Sequence, residues 1–477
     1  MISKINTSIQ NPTLNSSLKG LLFIALPIML IELSGTLMNF ANRVILSKYS
    51  LEAMNTCLAA STPYCVFFYT AISITSITEI FVGRYNGAKE FTKISEYVWQ
   101  MLWFSIFVTV VSIIIATYTA DIFIPAYYRE EGVPYFKILM YFTGVMSANV
   151  ALSAFYIGRG KVTLVILSVV LANVINFILD LILIFGLPPI IPSLGTKGAA
   201  ISSALANIVQ FTILFSAFLS RYNRAHYHTH NYKINFALLK QCLITATPGC
   251  IGNIMEMIAW AVFVYIIAAT NREYMIIYSI GNTVLTLFSF IIDALYKAVS
   301  TITANLIGAQ NYTHINKLLF SAIKLIICLS GLLFIPLVLK PDFFIQLFIK
   351  GEDVKSLDIL IKATLFWGWI YFIFGNILWV FGGILIAAKD TMFIGLTNTI
   401  LVWICAIIPS ISCLILQKGP PDLVWRFYVL YAIITSLLFY LRYKKKLGAL
   451  HKIQVGKKLP KMDQREHQRQ LLLQPIK

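Results

Sequence analysis

Six ionisable side chains lie inside long apolar stretches of this sequence, and they are the residues whose chemistry matters most. A charge at membrane depth costs on the order of 3 kcal/mol unless it is paired, neutralised or facing water. If these stretches span a membrane, the six side chains therefore mark candidate ion or substrate sites. They are Glu32, Glu79, Asp180, Glu256, Asp293 and Lys297.

Asp180 and Asn176 lie four residues apart in one apolar stretch. On a helix this spacing puts both side chains on one face, where the amide can donate a hydrogen bond to the carboxylate. An acid in such a setting is suited to binding and releasing a proton. The alternative is a packing carboxyl group that the amide merely satisfies.

The other acids have weaker signals. Asp293 and Lys297 are also four apart, which favours a structural ion pair over a transport site. Glu256 lies among methionine and tryptophan residues that fit either an adaptable binding wall or ordinary core. Glu32 and Glu79 are expected to have solvated or interfacial roles.

The composition identifies the class of protein. Of 477 residues, 58% are apolar and only 12% are charged, about half the charged fraction of soluble domains. The apolar stretches are long enough to cross a bilayer as helices, and they lack the short alternating pattern of barrel strands. The sequence therefore predicts an all-α polytopic membrane protein that spans the lipid bilayer.

Twelve spans are predicted, six in each half of the chain. We expect an amino-terminal lobe over 1–220, a connector over 221–240, a carboxy-terminal lobe over 241–446 and a basic tail over 447–477, which includes a small leucine cluster at 471–473. The predicted spans are 20–46, 55–83, 95–120, 135–158, 162–186, 197–219, 245–269, 275–304, 318–339, 358–387, 391–416 and 421–441.

The two halves share markers in one register. The segment 83–94, with Gly87 inside it, is echoed from Gly308 onward, and Pro27 and Pro248 stand at the same spacing of roughly 221 residues. Each segment ends one apolar run and opens a polar turn before the next. An internal repeat of this kind is typical of membrane transporters built from two related halves.

The formal charge of +18 indicates topology and not nucleic-acid binding, because the basic residues sit in short loops and in the tail. Loops after even-numbered spans carry most of them, whereas the opposite loops hold more acids. The positive-inside rule then places both termini in the cytoplasm of a multi-pass protein of the cell (inner or plasma) membrane.

Several other activities are not indicated. The seven cysteines form no CxxC pair, and no phosphate-binding GxxxxGK[ST] loop is present. The connector's His226, His228 and His230 have no cysteine or acidic partners nearby, which argues against a metal site. No His- or Asp-rich catalytic set is seen, so we expect neither an enzyme nor a cofactor.

Several segments resemble the multidrug and toxic compound extrusion (MATE) transporters, in their NorM-like or DinF-like branch. Leu26-Pro27 through Phe40 is similar to the family's first span, and Gly83–Glu90 to the exit of its second. Asn176-x-x-x-Asp180 with Gly195–Ser202 resembles the fifth and sixth spans, and Ala388–Thr391 the turn before the eleventh. The resemblance covers nearly the whole chain except the tail.

This resemblance implies a monomeric antiporter that exports a small organic cation in exchange for H⁺ or Na⁺. Asn176 and Asp180 match the amino-lobe cation site, and Glu256 matches a carboxy-lobe acid. Ser202 or Ser203, of which we choose Ser203, matches a sixth-span hydroxyl at the substrate cavity. Tyr371 matches an aromatic residue of the carboxy-lobe site.

Two positions depart from the family pattern. The first-span acid falls on Asn42, and the tenth-span acid falls on Gly375 or Asn376, depending on one gap. We retain Asn42 in the coupling site and Asn376 in the cavity. A flippase for a lipid-linked precursor stays open as the alternative, although its cavity should hold several basic residues and only Arg43 and Lys297 are candidates.

Overall fold

The computed structural model describes residues 15–270, 272–342, 345, 354–415 and 419–458. Within these ranges the chain is almost entirely α-helical. The helices are α1 Leu18–Tyr49, α2 Leu51–Thr75, α3 Thr78–Gly87, α4 Phe91–Phe123, α5 Arg129–Tyr141, α6 Thr143–Ile157, α7 Thr163–Phe185, α8 Gly195–Phe218, α9 Arg221–Tyr227, α10 Phe236–Thr270, α11 Arg272–Gly308, α12 Thr313–Phe334, α13 Val354–Ala387, α14 Thr391–Leu401, α15 Ile408–Ile415 and α16 Leu423–Lys458.

These helices form twelve stretches long and apolar enough to cross a membrane, which confirms the predicted number of spans. Span 2 joins α2 to α3, span 4 joins α5 to α6, and span 11 joins α14 to α15. Spans 1–6 come before the connector and spans 7–12 after it. The last helix runs to Lys458, beyond the position at which the sequence places the tail, and the 471–473 cluster lies outside the described residues.

Span 11 widens into a π-helical segment over Val402–Ile407. Pro409 follows two residues later, and its ring nitrogen cannot donate to the carbonyl of Cys405. Loss of that helical hydrogen bond accounts for the local widening. The irregular segment begins four residues after Asn398, a residue that proves important below.

The connector is tied to the amino-terminal lobe along span 3. The indoles of Trp99 and Trp103 donate to the carbonyls of Thr229 and Tyr232, at 2.9 and 3.0 Å. Farther on, the Asn235 side chain caps the start of α10. The link between the two halves is therefore held firmly on one of them up to the first residue of span 7.

The internal repeat is visible in the backbone of two turns. After span 2 and after span 8 the helix ends in a left-handed residue, Lys89 with φ 61° and Gln310 with φ 57°. In each turn the next amide reaches back five residues, from Glu90 to Tyr85 and from Asn311 to Leu306, at 2.9 and 2.8 Å. The same pattern follows span 4 at Gly160 and span 10 at Lys389, so one helix-terminating motif is used twice in each half.

Spans 2 and 8 cross where their ends lie beside each other, and the crossing is reciprocal. A Cβ added to Gly87 would lie 2.0 Å from the carbonyl oxygen of Asn305, and one added to Gly308 would lie 1.9 Å from that of Arg84. Arg84 and Asn305 stand at the repeat spacing, as the two glycines do. Each half therefore makes the same contact on the other, as a two-fold repeat requires.

These crossings define two sides of the molecule. Even-numbered spans all end on the side that carries the connector, which we call the connector face. Interlobe hydrogen bonds of the described residues lie between this face and about the middle of the spans. They include Arg84 to the Ala387 carbonyl at 3.0 Å, Asn86 to Asn305 at 2.7 Å and Asn253 to Ser73 at 3.1 Å.

Candidate functional site

Asp180 lies at the centre of a buried polar network in the amino-terminal lobe. Its carboxylate accepts a hydrogen bond from the Ser202 hydroxyl, and the Asn176 amide donates to that hydroxyl oxygen at 3.2 Å. Asp180 and Ser202 are both fully buried. Spans 5 and 6 thus supply an amide and a hydroxyl that hold the Asp180 carboxylate away from solvent.

Asn42, from span 1, completes the amino-lobe network. Its amide nitrogen donates to Asp180 Oδ2 at 2.6 Å and to the Met38 carbonyl at 3.3 Å. A third span therefore contributes a hydrogen bond to the same carboxylate.

Ser202 and not Ser203 makes the sixth-span contact with Asp180. Ser203 lies one residue farther along the helix, about 100° around its axis. That rotation turns its side chain away from span 5. Its backbone carbonyl accepts a hydrogen bond from the Asn207 side-chain amide at 2.8 Å. Choosing Ser203 over Ser202 from the sequence was therefore wrong for the hydroxyl that meets Asp180.

A second buried network surrounds Glu256 in the carboxy-terminal lobe. The Asn398 amide donates to Glu256 Oε2 at 2.7 Å, and the Trp260 indole donates to Oε1 at 3.4 Å. Tyr431 in turn donates to Asn398 Oδ1. Spans 7, 11 and 12 meet at this carboxylate, which lies on span 7.

The sequence missed Asn398 and Tyr431. Neither has a local signal, because a lone amide or phenol in an apolar helix is compatible with ordinary packing. The repeat does supply a signal for Asn398, which lies about 222 residues after Asn176. Applying the repeat spacing to Asn176 would have found it.

The two remaining predicted site residues both lie on span 10. Tyr371 packs its ring against Trp425 and Tyr428, with centroids 6.4 and 5.9 Å away. Asn376 is buried, and its amide donates back to the Phe372 carbonyl at 2.7 Å within its own helix. It lines none of the larger cavities found among the described residues.

A central cavity of about 860 Å³ lies between the two lobes. Its ionisable lining consists of four carboxylates and one lysine, and it also contains asparagine, serine and aromatic side chains. The charged residues come from spans 1, 2, 7 and 8. They are Glu32, Glu79, Glu256, Asp293 and Lys297.

Lys297 pairs across the lobes with Glu32, at 2.5 Å between Nζ and Oε1. The predicted ion pair between Asp293 and Lys297 is therefore wrong as a hydrogen-bonded pair. Spacing along a helix identifies neighbours on one face, but here the flexible lysine side chain reaches a carboxylate supplied by another helix. Glu32 is accordingly an interlobe partner and not a solvated group.

Glu79 is also an interlobe residue, contrary to the solvated role expected for it. It accepts a hydrogen bond from the Thr301 hydroxyl of span 8 and faces the central cavity. Span 2 reaches the interlobe surface at this point, which composition alone does not reveal. Both acids therefore contribute to contacts that hold the lobes together near the connector face.

The fold and the site define a polytopic membrane transporter made of two six-helix lobes around a central cavity. The MatE family model matches residues 27–182 and 248–411, one segment in each lobe. The chain belongs to this family, the MATE transporters. The match begins at Pro27 in one half and at Pro248 in the other, the two prolines that first marked the repeat.

Curated relatives and solved structures agree with this assignment. The chain is 24% identical to the probable multidrug resistance protein YoeA of Bacillus subtilis over 67% of this chain and 71% of that protein. It is 25% identical to an FAD transporter of Shewanella oneidensis over 39% and 40% of the two chains.

Two solved structures show the same fold. A MATE structure in a bent conformation superposes with a TM-score of 0.82 at 16% identity, covering 93% of this chain and 98% of that one. A MOP superfamily transporter from Pyrococcus furiosus, described as having a binding pocket of reverse polarity, superposes with a TM-score of 0.81 at 16% identity, covering 92% and 98%.

Proposed function

We propose that this protein is a secondary antiporter that exports small organic cations across the cell membrane in exchange for H⁺ or Na⁺. The observation that carries this proposal is the ionisable lining of the central cavity, four carboxylates against one lysine. Such a lining attracts positive charge and repels negative charge. The names of the multidrug resistance relatives are consistent with a drug-like cargo.

The amino-lobe network is the proposed site of the coupling ion. Asp180 supplies one charge, and Ser202, Asn176 and Asn42 supply oxygens and amides around it. The ionised carboxylate accepts a hydrogen bond from the Asn42 amide, and protonation of Asp180 would weaken that hydrogen bond. A proton at Asp180 would in this way change a contact between spans 1 and 5.

Alternating access follows from the position of the interlobe contacts. They lie between the connector face and mid-span, so the lobes are closed on that side. We propose that the connector face is cytoplasmic, as the positive-inside rule indicates, and that the protein acts as a monomer. The structure then corresponds to a state that is closed toward the cytoplasm.

The alternative is a flippase for a lipid-linked precursor, and the cavity argues against it. A phosphate-bearing cargo needs several cationic partners, whereas Lys297 is the one base among the residues found to line the central cavity, and Glu32 already engages it. The same reasoning disfavours the cargo named for the Shewanella relative, because FAD carries a diphosphate.

The test is transport into or out of proteoliposomes that contain the purified protein. Ethidium is a permanent organic cation. When an inward gradient of H⁺ or Na⁺ is imposed, ethidium should move outward, and this movement should stop when the gradient is collapsed. FAD serves as the anionic comparison. Gradient-driven transport of FAD in place of ethidium would contradict the proposal, as would ethidium movement that ignores both ion gradients.

A further inference from the structure

An aromatic cavity of about 830 Å³ lies within the carboxy-terminal lobe, next to the central cavity. We call it the aromatic cavity. Its walls come from spans 7, 8, 10 and 12, and its volume lies in the range of small-molecule sites. The aromatic residues that form the walls are Trp260, Tyr265, Tyr278, Tyr371, Phe372, Trp379, Trp425 and Tyr428.

The walls of the aromatic cavity are packed against one another and are therefore preformed. Tyr428 contacts Trp260 and Trp425 edge to face, with ring centroids 4.7 and 5.1 Å apart. Tyr278 stacks beside Trp425 at 6.1 Å. The Trp425 ring lies so close to Gly281 that a Cβ there would come within 2.9 Å of it, which fixes the indole in place.

The aromatic cavity and the central cavity share three lining residues, Trp260, Trp379 and Asp293. Asp293 thus stands where the acidic cavity passes into the aromatic one. A molecule that entered the central cavity from its open side could place a ring among the aromatic walls and a charged group beside this carboxylate.

Asp293 differs from the other acids of the central cavity in having no hydrogen-bonding or ion-pair partner among the described residues. Glu32 is paired with Lys297, Glu79 accepts from Thr301, and Glu256 accepts from Asn398 and Trp260. Lys297, one turn along the helix from Asp293, is the nearest candidate counter-ion and is already engaged. An exposed carboxylate without a partner is available to a ligand.

We propose that the aromatic cavity binds the planar ring system of an organic cation and that Asp293 neutralises its positive charge. Aromatic faces attract cations as well as rings, so the walls and the carboxylate favour the same class of ligand. The site deepens the proposed export function by naming where and how the cargo is held. Binding can be measured without an imposed ion gradient.

The experiment is equilibrium binding of ethidium to purified full-length protein in lipid nanodiscs, followed by its fluorescence. Ethidium has a planar ring system and a permanent charge. Asp293→Asn should weaken binding about tenfold, and Tyr371→Leu several-fold. Asp293→Glu should retain most of the affinity, which separates loss of the charge from damage to the fold.

Asp121→Asn and Tyr118→Leu are matched controls, because both positions are exposed on span 3, away from either cavity. They should leave the dissociation constant within about twofold of wild type. Tetraethylammonium, a cation without rings, and FAD, a ring system with negative charges, should each compete poorly. Strong competition by FAD would overturn the proposed ligand class.

Other outcomes would overturn the site. If wild type fails to bind ethidium, or if Asp293→Asn and Tyr371→Leu both bind it as wild type does, the aromatic cavity is only packing. Failure of the antiport proposal looks different: wild type would bind ethidium with the expected variant pattern yet show no gradient-driven movement in proteoliposomes.

Discussion

The two lobes each bury a carboxylate beside an asparagine, but they take the carboxylate from different places. Asn176 and Asn398 stand at about the repeat spacing on spans 5 and 11. In the amino-terminal lobe the acid is Asp180, on the same helix as the asparagine. In the carboxy-terminal lobe the acid is Glu256, which comes from span 7 and reaches the amide of Asn398.

This difference indicates a division of labour. Asp180 is surrounded by one hydroxyl and two amides, which form a compact polar cage suited to a proton or a small ion. Glu256 lies against Trp260, whose ring also borders the aromatic cavity. The asparagine is thus common to both lobes, and the different side chains around it are the basis for the proposed ion site in one lobe and the proposed cargo site in the other.

The largest expected effect tests what the two halves still share. Gly87→Ala and Gly308→Ala should each prevent the normal closure of the connector face, because the added methyl group would overlap the backbone of the opposing span. An overlap against backbone costs about 2 kcal/mol, so the closed state should lose at least tenfold in population. Distances between spin labels at Thr92 and Lys317 would report it.

Equal effects of the two glycine variants are the important result for the comparison. The reciprocal contact predicts that Gly87→Ala and Gly308→Ala lower the population of the closed state to the same degree. Gly331→Ala is the control, because a Cβ there meets no atom within 4 Å. A large effect of one glycine variant with none of the other would show that the contact is not shared by the repeat.

The next effect concerns the ion pair between the lobes. Lys297→Met leaves Glu32 unpaired and should destabilise the closed face by about 1 kcal/mol, since both side chains are partly exposed to the cavity. Adding Glu32→Gln should restore much of the loss. The same spin-label distances would follow the double-mutant cycle, and additive losses would show that the two residues do not interact.

Long helices and the repeat could be predicted from the sequence, because apolar length and spacing are local properties. That Asp180 and Asn176 share a helix face could be predicted for the same reason, but the predicted direct hydrogen bond is replaced by one through Ser202 of span 6. The partner of Lys297 could not, because Glu32 comes from a distant helix. For Glu256, only the approximate repeat spacing from Asn176 pointed to Asn398. Only packing decides between such partners and the nearest residues in sequence.

A smaller effect tests why the amino-terminal lobe has a single acid. Asn42→Asp places a second carboxyl group beside Asp180, whose oxygen lies 2.6 Å from the Asn42 amide group. Two carboxylates so close cannot both ionise readily, so ion-coupled efflux should shift to higher pH and follow a coupled pair of groups. An unchanged pH profile of ethidium efflux would mean that Asn42 does not influence Asp180.

The last effect, on pH dependence, lies in the turn between spans 10 and 11. Lys389 is partly buried, over the Phe81 ring at 4.0 Å, and this burial, together with the nearby charge of Arg84, lowers its pKa to about 8. When the connector face opens, the pKa should return toward its ordinary value of about 10.4. At pH values between these two pKa values, Lys389 therefore binds a proton less often when the connector face is closed than when it is open.

Closure of the connector face should therefore become more favourable as the pH rises above 8, by about tenfold at pH 9 relative to pH 7. Below pH 8 the lysine is charged in both states and the full cost of burying it remains. Lys389→Met should remove this dependence, whereas Lys389→Arg should keep the cost at every pH. The assignment of this pH dependence to Lys389 would be contradicted if the distance between spin labels at Thr92 and Lys317 changed with pH equally in wild type and Lys389→Met.

The central claim is that the amino-terminal lobe binds the coupling proton and the carboxy-terminal lobe holds the cargo. Its most direct test is the number of protons exchanged when ethidium saturates the purified protein in weakly buffered solution, read with a pH indicator. Wild type and Glu256→Gln should release protons with similar stoichiometry, and Asp180→Asn should release none while still binding ethidium. Unchanged release by Asp180→Asn, with release lost in Glu256→Gln, would contradict the claim and move the coupling site to the carboxy-terminal lobe.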